Sequence, residues 1–230
     1  MNSDEKLKQK LADLELSPKD LSLFHKAFTH RSYLNEAKGA TESNERLEFL
    51  GDSVLSFIVS SFLFHTREAD QEGELTNLRA YMVKTESLGR ASELLDLGKL
   101  LKLSKGEELS GGRENLQILA NTYEAFLGAI FLDLGIDGAI FFVHRTLLPL
   151  FAKELQKGAP RDPKSQLQEV VQSKFQVSPR YRILSTSGPD HAKHFVVGVF
   201  VRDDQIGEGN GSSKQQAEEE AAQQALEKLA

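Results

Sequence analysis

Apolar residues recur at helical spacing along the first part of this 230-residue chain. They run through Leu7, Leu11 and Leu14, then Leu21, Phe24 and Phe28, then Leu47, Leu50, Val54 and Ile58. Steps of three and four residues place such positions on one face of a helix, so the pattern predicts helix after helix. It continues through Leu75 to Leu97 and Leu116 to Leu134, with Gly106, Gly111 and Gly112 marking loops and Pro149 near the end of the last apolar segment. No strand alternation precedes residue 150. Gln156 to Pro163, QKGAPRDP, combines Gly, two Pro and charge, and reads as a linker between domains. The texture then changes: Ser165 to Phe175 reads as a helix, and Tyr181 to Thr186 and Phe195 to Arg202 as strands separated by Gly188, Pro189 and Asp190. Ser212 to Leu229 reads as an Ala-rich helix. The residues thus predict an all-α domain followed by a small α+β domain.

Composition narrows the class. With 40% hydrophobic and 27% charged residues the chain has the make-up of a folded soluble protein of one or two domains. The first ten residues, MNSDEKLKQK, are charged, and the longest apolar stretch, Val54 to Phe64, is too short to span a bilayer, which predicts a cytoplasmic protein without a membrane segment. The absence of cysteine excludes disulfides and thiolate metal sites, leaving carboxylate, amide and imidazole as metal ligands and favouring a hard cation. A formal charge of -6 weighs against a nucleic-acid partner, because phosphate affinity usually comes with a basic surplus. A cluster of metal-binding carboxylates would partly answer that objection, since a bound divalent ion locally reverses their field.

One such cluster stands in Asn44 to Leu55, NERLEFLGDSVL. At about 100° per residue, Glu45, Glu48 and Asp52 share one helix face while Leu47, Leu50 and Val54 share the opposite one. Stacked carboxylates repel one another. Water on a solvated face compensates that repulsion in many helices, and a divalent cation does so in a metal site; spacing alone leaves both open. A second segment, Gln117 to Leu132, puts Asn121 and Glu124 on one face of a helix that is otherwise apolar around Ile118, Leu119, Phe126, Leu127, Ile130 and Phe131. These two residues either sit at a helix edge, satisfying a hydrogen bond, or add donors to the first cluster.

NERLEFLGDSVL is similar to the most characteristic motif of the ribonuclease III family, and ILANTYEAFLGAIFLD resembles that family's second acidic motif. The likeness extends through THRSY at 29 to 33, EGEL at 72 to 75 and SGG at 110 to 112, in family order. It implies an all-α catalytic and dimerisation domain over residues 1–156, a linker over 157–161 and a double-stranded RNA-binding domain of α-β-β-β-α order over 162–230. It further implies Asp52 and Glu124 as catalytic residues, Glu48, Asn121 and Glu124 as metal ligands, and Glu45 and Glu72 as supporting acids. Mg2+ is the implied cofactor, with Mn2+ able to substitute, and no organic cofactor is implied. The family motif commonly carries Asp where this chain has Asn121; an amide oxygen can ligate Mg2+ but brings no negative charge.

The C-terminal segment resembles the double-stranded RNA-binding domain through DPKSQLQE at 162 to 169, GPDHAKHF at 188 to 195 and GSSKQQAEEEAA at 211 to 222. By that match Ser165, Gln168, Glu169 and Gln172 reach one minor groove, His191 the next, and Lys214 the phosphates between. Where the family often has a basic cluster, this chain has Lys214, Gln215 and Gln216, which implies weaker RNA binding. The implied activity is metal-dependent hydrolysis of both strands of duplex RNA by a homodimer, leaving 5'-phosphate and 3'-hydroxyl ends with a short 3' overhang. Ribosomal RNA precursors and other structured transcripts are the implied substrates. Phe49 stands off the core stripe of its helix and is compatible with a dimer interface.

Overall fold

A computed structural model describes residues 2–36, 42–158, 162–189 and 193–229. The chain divides into two compact units, Met1–Ala159 and Pro160–Ala230. Each is considered by itself.

The first unit is helical: α1 (Ser3–Asp13), α2 (Leu21–Ala27), α3 (Glu45–Thr66), α4 (Glu72–Val83), α5 (Thr85–Leu94), α6 (Lys105–Leu109), α7 (Leu116–Thr146) and α8 (Ala152–Lys157), with short 3-10 turns between some of them. Its core gathers the apolar faces of these helices, with Leu7, Leu11, Phe24, Leu55, Val59, Tyr123 and Phe126 all buried. Two glycines set how its central pair meets. A methyl group added to Gly51 on α3 would stand 1.8 Å from the Glu124 carbonyl oxygen, and one on Gly128 of α7 would stand 2.3 Å from that of Leu47. Only residues without Cβ let α3 and α7 approach so closely, and this contact sets the acidic face of α3 beside Asn121 and Glu124.

Three expectations for this unit need correction. Leu75 to Leu97 is two helices: Lys84, at φ -67° and ψ 158°, is extended between α4 and α5. The apolar periodicity conceals the break because Leu78, Met82, Leu88 and Ala91, on either side of it, are all buried. The helix expected to end near Leu134 continues to Thr146 past Gly135, a single residue at φ 76° that kinks the chain. Finally, α3 and α7 are each long and apolar enough to cross a bilayer, with mean hydropathies of 1.6 and 2.0 over 18 residues. Counting only uninterrupted apolar residues overlooked this. Their shared role as central core helices accounts for that composition.

The second unit is α9 (Pro163–Phe175), an antiparallel sheet of β1 (Arg180–Ser187), β2 (His194–Val201) and β3 (Asp204–Gly211) in sequential order, and α10 (Lys214–Leu229). Pro163 starts α9 where a missing N–H costs nothing, and the Asp162 carboxylate caps it by accepting from the Ser165 N–H. Leu167 and Val171 of α9, Val199 and Val201 of β2, and Ala221, Ala222 and Ala225 of α10 form the core. The residues alone did not reveal β3, DQIGEGNG, because its inward positions are glycines rather than apolar side chains. A methyl group at Gly209 would lie 2.2 Å from the Ala221 nitrogen, so α10 rests directly on the strand backbone. Polar residues of α10 also close the free edge of β3. The N–H groups of Glu208, Asn210 and Ser212 donate to Gln224, Glu220 and Gln216 at 2.8, 2.6 and 3.0 Å.

Candidate active site

The acids of α3 and the polar residues of α7 meet along the α3–α7 seam. A cleft of about 500 Å³ is lined there by Glu45, Glu48, Asn121, Gln117, Arg31 and His30, among others. Glu48 is half-buried and its carboxyl is held above the usual carboxylate range, first by burial and then by the neighbouring Glu45 charge, with Asp52 adding to the effect. A hydrogen bond from Asn121 and the Arg31 charge oppose the rise. Glu124 is pushed up to about 8, chiefly by burial and then by the Asp52 and Glu48 charges. Glu48, Asp52 and Glu124 thus share one electrostatic field across two helices, and the ion-free site favours protonation of Glu124. Glu45 stands at the cleft edge, 3.7 Å from the Arg31 guanidinium.

Among the described residues no three acidic or imidazole side chains form a ready cage for an ion. The oxygen chemistry nonetheless fits a hard divalent cation: carboxylates from two helices repel one another, burial raises the cost of that repulsion, and an ion that keeps several waters needs only two or three such donors. Glu72 is not in this group. It lies on a separate cleft with Asp70, Thr76, Ser60 and Arg79, so within one chain it does not join the Glu48 cluster.

Three cleft residues were not legible as candidates. Arg31 lies in the THRSY segment, but nothing in its spacing tied it to Glu45. His30 faces the cleft while its Nδ1 meets the Ser32 hydroxyl at 2.8 Å. Gln117 donates to Asn121 Oδ1 at 2.7 Å; its place four residues before Asn121 is the signal that could have found it.

In the second unit Ser165, Gln168, Glu169 and Gln172 lie at intervals that put them on one face of α9, and Glu169 and Gln172 are exposed there. The Ser165 hydroxyl donates to Asp162 at 2.8 Å. Lys214 is exposed at the first turn of α10. His191 lies outside the described residues.

A helical unit with buried, coupled carboxylates, joined to an α-β-β-β-α unit with a polar helix face, has the organisation of a hydrolytic enzyme carrying a separate binding module. Family models agree: residues 20–150 match "Ribonuclease-III-like" and residues 163–229 match "Double-stranded RNA binding motif". A protein named Ribonuclease 3 from Pelotomaculum thermopropionicum is 43% identical over 94% of this chain and 90% of its own length. Another of that name from Streptococcus gordonii is 46% identical over 91% of this chain and 90% of its own length. A solved nuclease domain of ribonuclease III from Campylobacter jejuni, described for flexibility in a region involved in dimer formation, is 37% identical. It covers 63% of this chain and 98% of its own, with a TM-score of 0.59. The chain belongs to the ribonuclease III family.

Proposed function

We propose that this protein cuts both strands of double-stranded RNA by metal-dependent phosphodiester hydrolysis, leaving 5'-phosphate and 3'-hydroxyl ends with a short 3' overhang. The carrying observation is the shared field of Glu48, Asp52 and Glu124 along a seam that Gly51 and Gly128 hold tight. Members of the family are metal-dependent enzymes, and this donor set suits Mg2+, with Mn2+ able to replace it. Glu48 and Glu124 would hold the ion with an oxygen contribution from Asn121, and Asp52 completes the acidic field at the reacting phosphate. When bound, the ion supplies charge stabilisation at the phosphoryl oxygens and lowers the pKa of water. The residues' own contribution is to fix oxygen donors in a partly dry cleft, where their attraction for a cation and their orientation of water are stronger than in bulk solvent. Glu124 gives up its proton as the cation arrives, since the charge that raised its pKa is then compensated.

Duplex recognition rests on the second unit. The face of Ser165, Gln168, Glu169 and Gln172 offers donors and acceptors to 2'-hydroxyls, and the first turn of α10 with Lys214 offers free N–H groups and one cation to phosphate. His191 would reach the adjacent minor groove. Residues 1–156 form the catalytic domain, 157–161 the linker and 162–230 the RNA-binding domain in this reading. The active form is a homodimer. Phe49, Phe57 and Phe64 on α3 are 78%, 61% and 68% exposed, and at about 100° per residue they fall on one side of the helix, an apolar stripe that a second copy would cover. Dimerisation gives each strand its own set of acids, and Glu72 supports the valley in that assembly. Cytoplasmic ribosomal RNA precursors and other folded transcripts are the proposed substrates.

The test is direct. Full-length protein incubated with a long RNA duplex should give short products with Mg2+ and bound, uncut duplex without it; binding without cleavage at any Mg2+ concentration would make the chain a binding module only.

A further inference from the structure

Gln117 stands one helical turn before Asn121 on α7, and both line the cleft that Glu48 lines. Its Nε2 donates to Asn121 Oδ1 at 2.7 Å. Asn121 in turn hydrogen-bonds the Glu48 carboxylate. A carboxylate only accepts, so the end of Asn121 that faces Glu48 is its NH2 group, and Oδ1 is left for Gln117. The three side chains form one directional relay: Gln117 donates to Asn121, and Asn121 donates to Glu48. Turned over, the Asn121 amide would set oxygen against oxygen at Glu48, and Gln117 is the partner that selects the productive end.

We propose that Gln117 is a positioning residue of the ion-binding site: by fixing which end of Asn121 faces Glu48, it holds the Glu48 carboxylate in place to receive a divalent ion. This rests on the reading that Glu48 helps hold that ion. Asn121 thereby contributes first as the donor that orients a ligand, and the relay does the positioning that a fourth carboxylate could do only by adding repulsion. The side chain of Gln117 is exposed and outside the core, while its backbone N–H donates to Asn115 Oδ1 at 2.9 Å, a capping bond that any residue with a backbone N–H keeps. Gln117→Leu therefore removes the relay donor and leaves the start of α7 intact.

The experiment uses the full chain and Mn2+ alone, without RNA, with free Mn2+ read by electron paramagnetic resonance. Gln117→Leu, Asn121→Ala, the double variant and Glu48→Gln are compared with the natural protein. Gln117→Leu should raise the Mn2+ dissociation constant about tenfold, the low end of what losing a hydrogen-bond partner of a ligand costs. The double variant should bind like Asn121→Ala alone, because Gln117 acts only through Asn121. In cleavage assays the Mg2+ midpoint should move by the same factor as the Mn2+ constant, while KM for the RNA duplex and the ion-free melting temperature stay put. Unchanged Mn2+ affinity in Gln117→Leu, with Glu48→Gln still weakened, would overturn the proposal and leave the metal site standing. Multiplying effects in the double variant would overturn it too, since Gln117 would then act independently of Asn121. If Glu48→Gln itself bound Mn2+ normally, the underlying assignment of Glu48 would fail, and the proposal with it.

Discussion

Replacing Glu124 by Gln should separate stability from activity in opposite directions. Glu124 holds its proton more tightly in the folded chain, up to about 8 against an ordinary 4.5, because burial and the Asp52 and Glu48 charges disfavour its anion. The folded state therefore binds more protons than the unfolded one between those values, and stability falls as pH rises through that window. At 1.36 kcal/mol per pKa unit the full shift corresponds to about 5 kcal/mol, and screening at this partly exposed side chain reduces it to about 2 kcal/mol. Glu124→Gln keeps the shape and removes the charge. Without metal, the variant should match the natural protein near pH 5 and melt about 5 °C higher near pH 9, taking 1 kcal/mol as a few degrees for a unit of this size. Saturating Mg2+ should erase the difference, because the ion stabilises only the folded site that still has its carboxylate. Cleavage should fall about a hundredfold or more, with duplex binding in a gel shift unchanged. Scanning calorimetry from pH 5 to 9 in EDTA and in Mg2+ provides the check. A melting difference that is flat with pH, or turnover by the variant close to the natural rate, would refute the reasoning.

Four further perturbations follow from the same geometry. Asn121→Asp should lower the Mg2+ concentration for half-maximal cleavage with little change in maximal rate, and should lower the ion-free melting temperature, both read in a Mg2+ titration paired with thermal melts. Gly51→Ala drives a methyl into the Glu124 carbonyl, so α3 and α7 must part; a loss of about 2 kcal/mol in urea unfolding and of most cleavage is expected. Residues 1–156 alone should dimerise and cut duplex RNA only at low salt, where weak screening lets the first unit hold RNA without help from the second; equal salt tolerance in the full chain and the fragment would count against this. Phe57→Glu puts charge into the exposed stripe of α3 and should yield a monomer in light scattering with intact helical circular dichroism.

The residues carried much of this, and where they failed the reason is physical. Helical periodicity found α3 and its two faces, since Leu47, Val54 and Ile58 are buried and Asp52 and Glu45 exposed. It could not see the break at Lys84 or the kink at Gly135, because the apolar faces on either side of each continue into the same core. β3 escaped because glycines do the packing that apolar side chains do elsewhere. At the site, spacing grouped acids within a helix but was silent on which helices meet. The α3–α7 contact depends on Gly51 and Gly128, whose role shows only in three dimensions. Glu72 shared a motif with the cluster in sequence yet stands on another cleft, and Gln117 carries no charge to draw notice but is bonded to Asn121.

The central claim is paired hydrolysis of duplex RNA by these acids. The measurement that tests it most directly maps both strands of one end-labelled RNA duplex after limited digestion in Mg2+. Cuts on opposite strands, offset to leave a short 3' overhang with 5'-phosphate and 3'-hydroxyl ends, and absent with Glu124→Gln, are the expected result. Cuts in single-stranded RNA instead, nicks confined to one strand, or the same cuts from Glu124→Gln would contradict the account.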